Sequence, residues 1–150
     1  MLLLLPEPLE RFAHRSLAEA LLATGLAVAA DPPRASYRRQ ARLPDAVGVA
    51  VAHKQARRLR KRLRDEPRVI VIFDPAQYPL ARGLLQLLPG CELWYEYSAP
   101  IAAGDARTAE LHGMAAERAR LRFLAAERDV IEAALQRLVA TNESGTDPAT

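Results

Sequence analysis

The side chains able to do chemistry in this 150-residue chain are few and scattered. Three histidines, His14, His53 and His112, fall on three separate predicted helices or helix starts, with no metal-binding spacing among them. The single cysteine, Cys91, can form neither an internal disulfide nor a cysteine zinc site, and reads as a small residue in a reducing compartment. Asp74, Glu92 and Glu96 fall near the ends of predicted strands, a set that can hold Mg²⁺ for nuclease chemistry. That chemistry also wants a lysine beside the second acid, and the two lysines, Lys54 and Lys61, lie elsewhere. A basic run, Arg57, Arg58, Arg60, Lys61, Arg62 and Arg64, can bind phosphates. The apolar stripe beneath it, Leu59 and Leu63, marks it instead as the wet side of a packed helix, and no aromatic residues interleave with it. Trp94, Tyr95 and Tyr97 read as sheet core and edge rather than a platform for sugars. There is no GxGxxG, no Walker loop, no HExxH, and no serine–histidine pairing in a nucleophile-elbow context.

The elements that must position these residues centre on Arg68 to Pro100. Val69-Ile70-Val71-Ile72-Phe73 is β-branched or aromatic throughout, the pattern of a strand buried on both faces of a parallel sheet. Asp74-Pro75 ends it, because Pro75 has no N–H and disfavours helical angles at Asp74. Pro79 suits a helix start, and the helix carries Leu80, Leu84, Leu85, Leu87 and Leu88 as far as Pro89-Gly90. A strand over Glu92 to Tyr97 completes a βαβ unit in about thirty residues. Ligands on such sheets bind at the carboxyl ends of the strands, here Asp74–Tyr78 and Glu96–Pro100.

The rest of the chain repeats the theme. Leu2–Leu5 predicts a central strand closed by Pro6-Glu7-Pro8. Glu10 to Ala23 predicts a helix stopped by Thr24-Gly25, and Leu26–Ala30 a second strand ended by Asp31-Pro32-Pro33. Arg34 to Arg42 reads as a basic loop with four arginines and Tyr37. Val49, Ala52, Ala56, Leu59 and Leu63 form a helical stripe, although Val47–Val51 also fits a short strand. Thr108 to about Glu132 is helical in composition, residues 137–141 fit an edge strand or a helix end, and 142–150 reads as a frayed tail after a domain over 1–141.

Composition narrows the classes. Half the residues are hydrophobic but only 5% are aromatic, so the core is built of Ala and Leu, which favours helix-rich packing. A net charge of +3 is too small to demand a nucleic-acid partner and permits an anionic ligand or peripheral contact with an anionic membrane. The leucine run at the start lacks a basic flank and is cut off by Pro6, so a secretory signal is not expected, and a cytoplasmic protein is.

Two segments resemble the N-terminal half of GT-B glycosyltransferases, which build two Rossmann-like domains around a cleft. One is Leu2 to Pro33, with Arg11 and His14, Leu17-Ala18, Gly25 and Pro32-Pro33; the other is VIVIFDPAQYPLARGLL followed by ELWYEYSAP. The resemblance implies that this half receives the acceptor. It also implies that the nucleotide-sugar donor is bound by a missing domain or a partner chain, so that this chain binds no cofactor itself. Transfer needs a base for an acceptor hydroxyl, and His14, near the start of the first helix, is the candidate, against the plainer reading of a packing or surface residue. Asp74, Gln77, Tyr78 and Glu96, with Arg11, are expected to line the cleft, and Arg34, Arg38 and Arg39 to meet a phosphate of the acceptor.

The expectation is therefore a single α/β domain, a Rossmann-like three-layer unit with a mainly parallel sheet of four to six strands. It acts as an acceptor-binding half with a second glycosyltransferase domain or as a homodimer, or is a truncated or degenerate half. The alternatives are a non-catalytic binding or interaction module and, behind it, a metal-dependent nuclease.

Overall fold

A computed structural model describes residues 1–145. Five parallel strands, β1 (Leu2–Leu4), β2 (Val28–Ala30), β3 (Val69–Ile72), β4 (Glu92–Glu96) and β5 (Leu121–Phe123), form one sheet in the order β2-β1-β3-β4-β5. The helices are α1 (Arg15–Ala23), α2 (Tyr37–Ala41), α3 (Asp45–Arg62), α4 (Tyr78–Leu87), α5 (Ala106–Arg118) and α6 (Arg128–Gly145). This is the α/β, Rossmann-like single sheet that the apolar runs predict, and it is parallel throughout.

Side-chain alternation divides the core in two. Leu2, Leu4, Ile70, Ile72, Leu93 and Tyr95 pack on one face with Tyr37 of α2, Ala56 of α3, Leu84 of α4 and Leu111 of α5. Leu3, Leu5, Val69, Val71, Phe73, Trp94 and Phe123 pack on the other with Leu17 and Leu21 of α1 and Ile131 of α6. Both faces being covered explains why β1 and β3 are apolar without alternation. The chain leaves β1 toward β2 on one side and later runs from β3 through β4 to β5 on the other. The order therefore reverses between β1 and β3, the place where doubly wound sheets open a crevice.

Several boundaries differ from expectation. The first helix does not begin at Glu10. A 3-10 turn at Leu9–Arg11 gives way to extended Phe12, whose ring is driven edge-on against Phe73 at 4.9 Å, and α1 starts only at Arg15. The basic loop at 34–42 contains α2, because the Ser36 side chain caps it by accepting the Arg39 N–H. Residues 47–51 are helical, inside α3. The helix expected from Thr108 to about Glu132 breaks at Ala119, which is extended. There the Arg120 N–H donates to the Leu93 carbonyl at 2.8 Å and the chain pairs as β5 beside β4, burying Phe123 completely. Satisfying the open edge of β4 outweighs the helical propensity of this stretch. Residues 137–141 lie within α6 rather than in a strand. The expected tail at 142–150 overlaps the end of α6 at Gly145, and 146–150 lie outside the described residues.

No helix among the described residues is long and apolar enough to cross a membrane.

Candidate functional site at the carboxyl edge

The switch point is plugged by Gln77. A 3-10 turn at Pro75–Gln77 follows β3 and turns the Gln77 side chain inward, where it is fully buried. Its Nε2 donates to the Leu4 carbonyl at 2.6 Å, and its Oε1 accepts the Phe73 and Asp74 N–H groups at 2.8 and 3.1 Å. Gln77 thus clamps the ends of β1 and β3 together, its side chain fully buried rather than open to solvent. Tyr37 rests against it: burial pushes its phenol up to about 12, partly offset by a hydrogen bond with Gln77.

Around this plug lie the groups able to react. His14 is the N-cap residue of α1, its carbonyl accepting the Ala18 N–H, and its ring stands edge-on to Phe12 at 5.6 Å. The Phe12 anchor, itself packed on Phe73, sets where the imidazole can be. His14 Nε2 lies 2.8 Å from Ser98 Oγ and 3.7 Å from Glu96 Oε2. Glu96 is the last residue of β4 and fully buried, on the α1 face with Trp94. Its Oε1 accepts the Ser98 and Ala125 N–H groups at 3.1 and 3.2 Å, tying together the loops after β4 and β5. Its Oε2 is buried without a hydrogen-bond donor. His14, 3.7 Å from that oxygen, is 29% exposed at its side chain, whereas Glu96 is fully buried.

A serine, a histidine and an acid in contact invite a hydrolase reading, which the geometry does not bear. A relay needs the acid on one ring nitrogen and the hydroxyl on the other. Here both approach Nε2, and the Ser98 N–H, a natural oxyanion donor, is already given to Glu96. What the arrangement can do is accept a proton on Nε2 and hold the resulting imidazolium against a carboxylate.

On the other face, Asp74 Oδ1 accepts the Ala76 N–H at 2.9 Å and Oδ2 accepts Arg38 Nε at 3.0 Å, while Arg38 Nη2 donates to the Pro100 carbonyl at 3.3 Å. Arg38 therefore bridges α2, the end of β3 and the loop after β4. Tyr95 OH lies 2.8 Å from His112 Nδ1, and burial, with the charges of Asp74 and Glu96, pushes the phenol far upward, so it acts as a neutral hydrogen-bonding group.

The other expected residues are not drawn in. Tyr78 is buried on the helical face, 7% exposed. Arg11, Arg34 and Arg39 are exposed, and their side chains make no hydrogen bond or ion pair among the described residues. The acidic triplet is not assembled: Glu92 opens β4 and meets Trp94 Nε1 at 3.2 Å, whereas Glu96 closes the same strand, about 13 Å further on at a strand's rise per residue. Within the basic run Arg57, Arg58, Lys61 and Arg62 form the exposed flank of α3, whose inner side is Ala52 and Ala56, Arg60 is half-buried and paired with Glu66, and Arg64 follows the helix end. Ser98 is the residue that sequence reasoning missed. Its only signal was its place just after a strand end, and its partner is 84 positions away.

Comparison with protein families, characterised proteins and solved structures found no match to this chain.

Proposed function

We propose that this domain receives a hydroxyl-bearing acceptor at the carboxyl edge of its sheet and that His14 takes the proton from that hydroxyl. In this reading it is the acceptor half of a glycosyl transfer of GT-B type, with the nucleotide-sugar donor supplied from a second domain or chain. The observation that carries the reading is the buried Glu96 Oε2, without a donor and 3.7 Å from His14 Nε2. A buried carboxylate oxygen left without a donor is costly, and an imidazolium at His14 relieves that cost at the moment the proton arrives. In the step itself the acceptor O–H bond breaks and its proton goes to His14 Nε2. The acceptor oxygen bonds the sugar's anomeric carbon, and the bond to the nucleoside diphosphate breaks, its electron pair leaving with the diphosphate.

The test begins with a pull-down of the tagged chain, followed by an assay of nucleoside diphosphate release from a panel of UDP- and GDP-sugars with the recovered partner. His14→Ala is expected to lower turnover by about 10²–10⁴, the usual worth of a general base. Glu96→Gln, which keeps the shape and removes the charge, is expected to lower it less. Unchanged turnover in His14→Ala would sink the reading.

A non-catalytic interaction module is the second reading. It is favoured by β2, an edge strand whose Val28 is 55% exposed and which is preceded by Leu26, 39% exposed. An unblunted apolar edge is a pairing template. A chain recovered alone, with no transfer activity, would favour it.

A further inference from the structure

Ser98 touches both halves of the candidate base. Its backbone N–H donates to Glu96 Oε1 at 3.1 Å, and its hydroxyl lies 2.8 Å from His14 Nε2. One residue thus sets its N–H on a carboxylate oxygen and its hydroxyl against an imidazole nitrogen, three bonds apart, and the hydroxyl donates there when Nε2 is free to take a proton, as the proposed base requires. The path N–Cα–Cβ–Oγ has the connectivity of O–C–C–O in a vicinal diol. We propose that Ser98 holds, in the free protein, the places of two neighbouring hydroxyls of the acceptor, and that the segment 98–104 is a strap that must lift for a vicinal diol to bind.

The strap is built for that motion. Tyr97 is still fastened to the sheet, its N–H donating to the Phe123 carbonyl at 3.1 Å. Asp105 caps α5 at the other end. Between them Ser98, Pro100, Ile101, Ala102, Ala103 and Gly104 are exposed, and Gly104 turns with φ +87°, a conformation open chiefly to glycine. The ties across the site are the two Ser98 contacts and the bond from Arg38 Nη2 to the Pro100 carbonyl. Arg38 is itself fixed by Asp74, so it serves as the latch. Lifting the strap takes the Ser98 N–H from Glu96 Oε1, which keeps only the Ala125 N–H. An incoming diol restores the lost donor and presents its other hydroxyl to Nε2, where the proton is to be taken.

The proposal rests on the reading of His14 as proton acceptor and names the chemical class of that acceptor. The experiment follows the ¹⁵N resonances of the His14 imidazole in the full chain while myo-inositol, rich in vicinal diols, is added, with 1,3-cyclohexanediol as the spacing control. His14 is expected to respond to the first and not the second. Arg38→Ala and Ser98→Gly are expected to lower the half-saturating concentration, roughly tenfold for a strap open a tenth of the time. Faster amide exchange confined to 98–104 in Arg38→Ala supports the latch. Equal midpoints in all three proteins, an equal response to the 1,3-diol, or no response at His14 would each overturn the proposal. The two readings fail separately. A His14 that senses the diol while His14→Ala turns over normally removes the base and leaves the site; lost turnover without a diol response does the reverse.

Discussion

The Gln77 amide nitrogen donates to the Leu4 carbonyl at 2.6 Å, joining the ends of β1 and β3 across 73 positions of sequence. The bond closes the crevice that the strand order opens there, and it leaves the reactive groups to either side: His14, Glu96 and Ser98 by α1, and Asp74 and Arg38 by α2.

Gln77→Ala would strip a donor from the Leu4 carbonyl and an acceptor from the Phe73 and Asp74 N–H groups. Each buried group left unpaired costs about 1–3 kcal/mol, and Asp74 can turn to water, so for the remaining two groups the expected loss is about 2–6 kcal/mol in urea unfolding. A loss below about 0.5 kcal/mol would show that the clamp is dispensable.

Gly83 marks a close approach of α4 to α3. A Cβ there would meet the Ala56 Cβ at 3.0 Å and the Ala52 carbonyl oxygen at 3.6 Å. Gly83→Val is expected to destabilise by about 1–3 kcal/mol through overpacking. Gly83→Ala sets a gain of up to about 1 kcal/mol in helix propensity against a shift of a few tenths of an ångström, so it is expected to be far milder. Similar melting temperatures for Gly83→Val and the parent would refute the close crossing.

Asp105 caps α5, its carboxylate accepting the Thr108 hydroxyl at 2.6 Å and the Thr108 N–H at 3.0 Å. These bonds hold its pKa below the ordinary 3.8. The unfolded chain therefore binds the proton more readily. The stabilisation is fully present above 3.8 and is lost as pH falls through the lower folded value. Asp105→Asn keeps a capping oxygen but cannot titrate. The parent is expected to be the more stable protein at neutral pH, with the gap in urea midpoint closing only in the acid range. A gap that stays constant down to acid pH would contradict the assignment.

Cys91 is buried, and burial pushes its thiol up from 9.0 to about 11, against the pull of the N-terminal ammonium. A two-unit rise cuts the thiolate fraction by about a hundredfold at pH 8, and poor access slows reaction further. Thiol reagents are expected to react with Cys91 at least about a hundred times faster in denaturant than in buffer. Rapid labelling of the folded chain would overturn this.

Much of the scaffold was legible residue by residue. Val69–Phe73 and Leu2–Leu5 are apolar at consecutive positions, and only a strand covered on both faces asks for that. Pro75, Pro79 and Pro89-Gly90 bracketed α4 because their effects are local. Less of the site was legible. His14 and Glu96 were singled out one at a time, whereas Ser98 carried no local pattern. Gln77 looked like a cleft residue because it follows a strand end, and only the turn at Pro75 decides that its amide points inward.

By itself the sequence determined which runs must be buried, that the sheet is mainly parallel, and where the chain turns around α4, since hydrophobic patterning and proline chemistry act within a few residues. Tertiary structure alone decided that Leu121–Phe123 leaves a helical stretch to pair with β4, that Phe12 holds back the start of α1, and that His14, Glu96 and Ser98 meet. Each of these depends on a partner remote in sequence: an open strand edge, the Phe73 ring, a hydroxyl 84 positions away. Such contacts form only once the sheet order has brought the strand ends together.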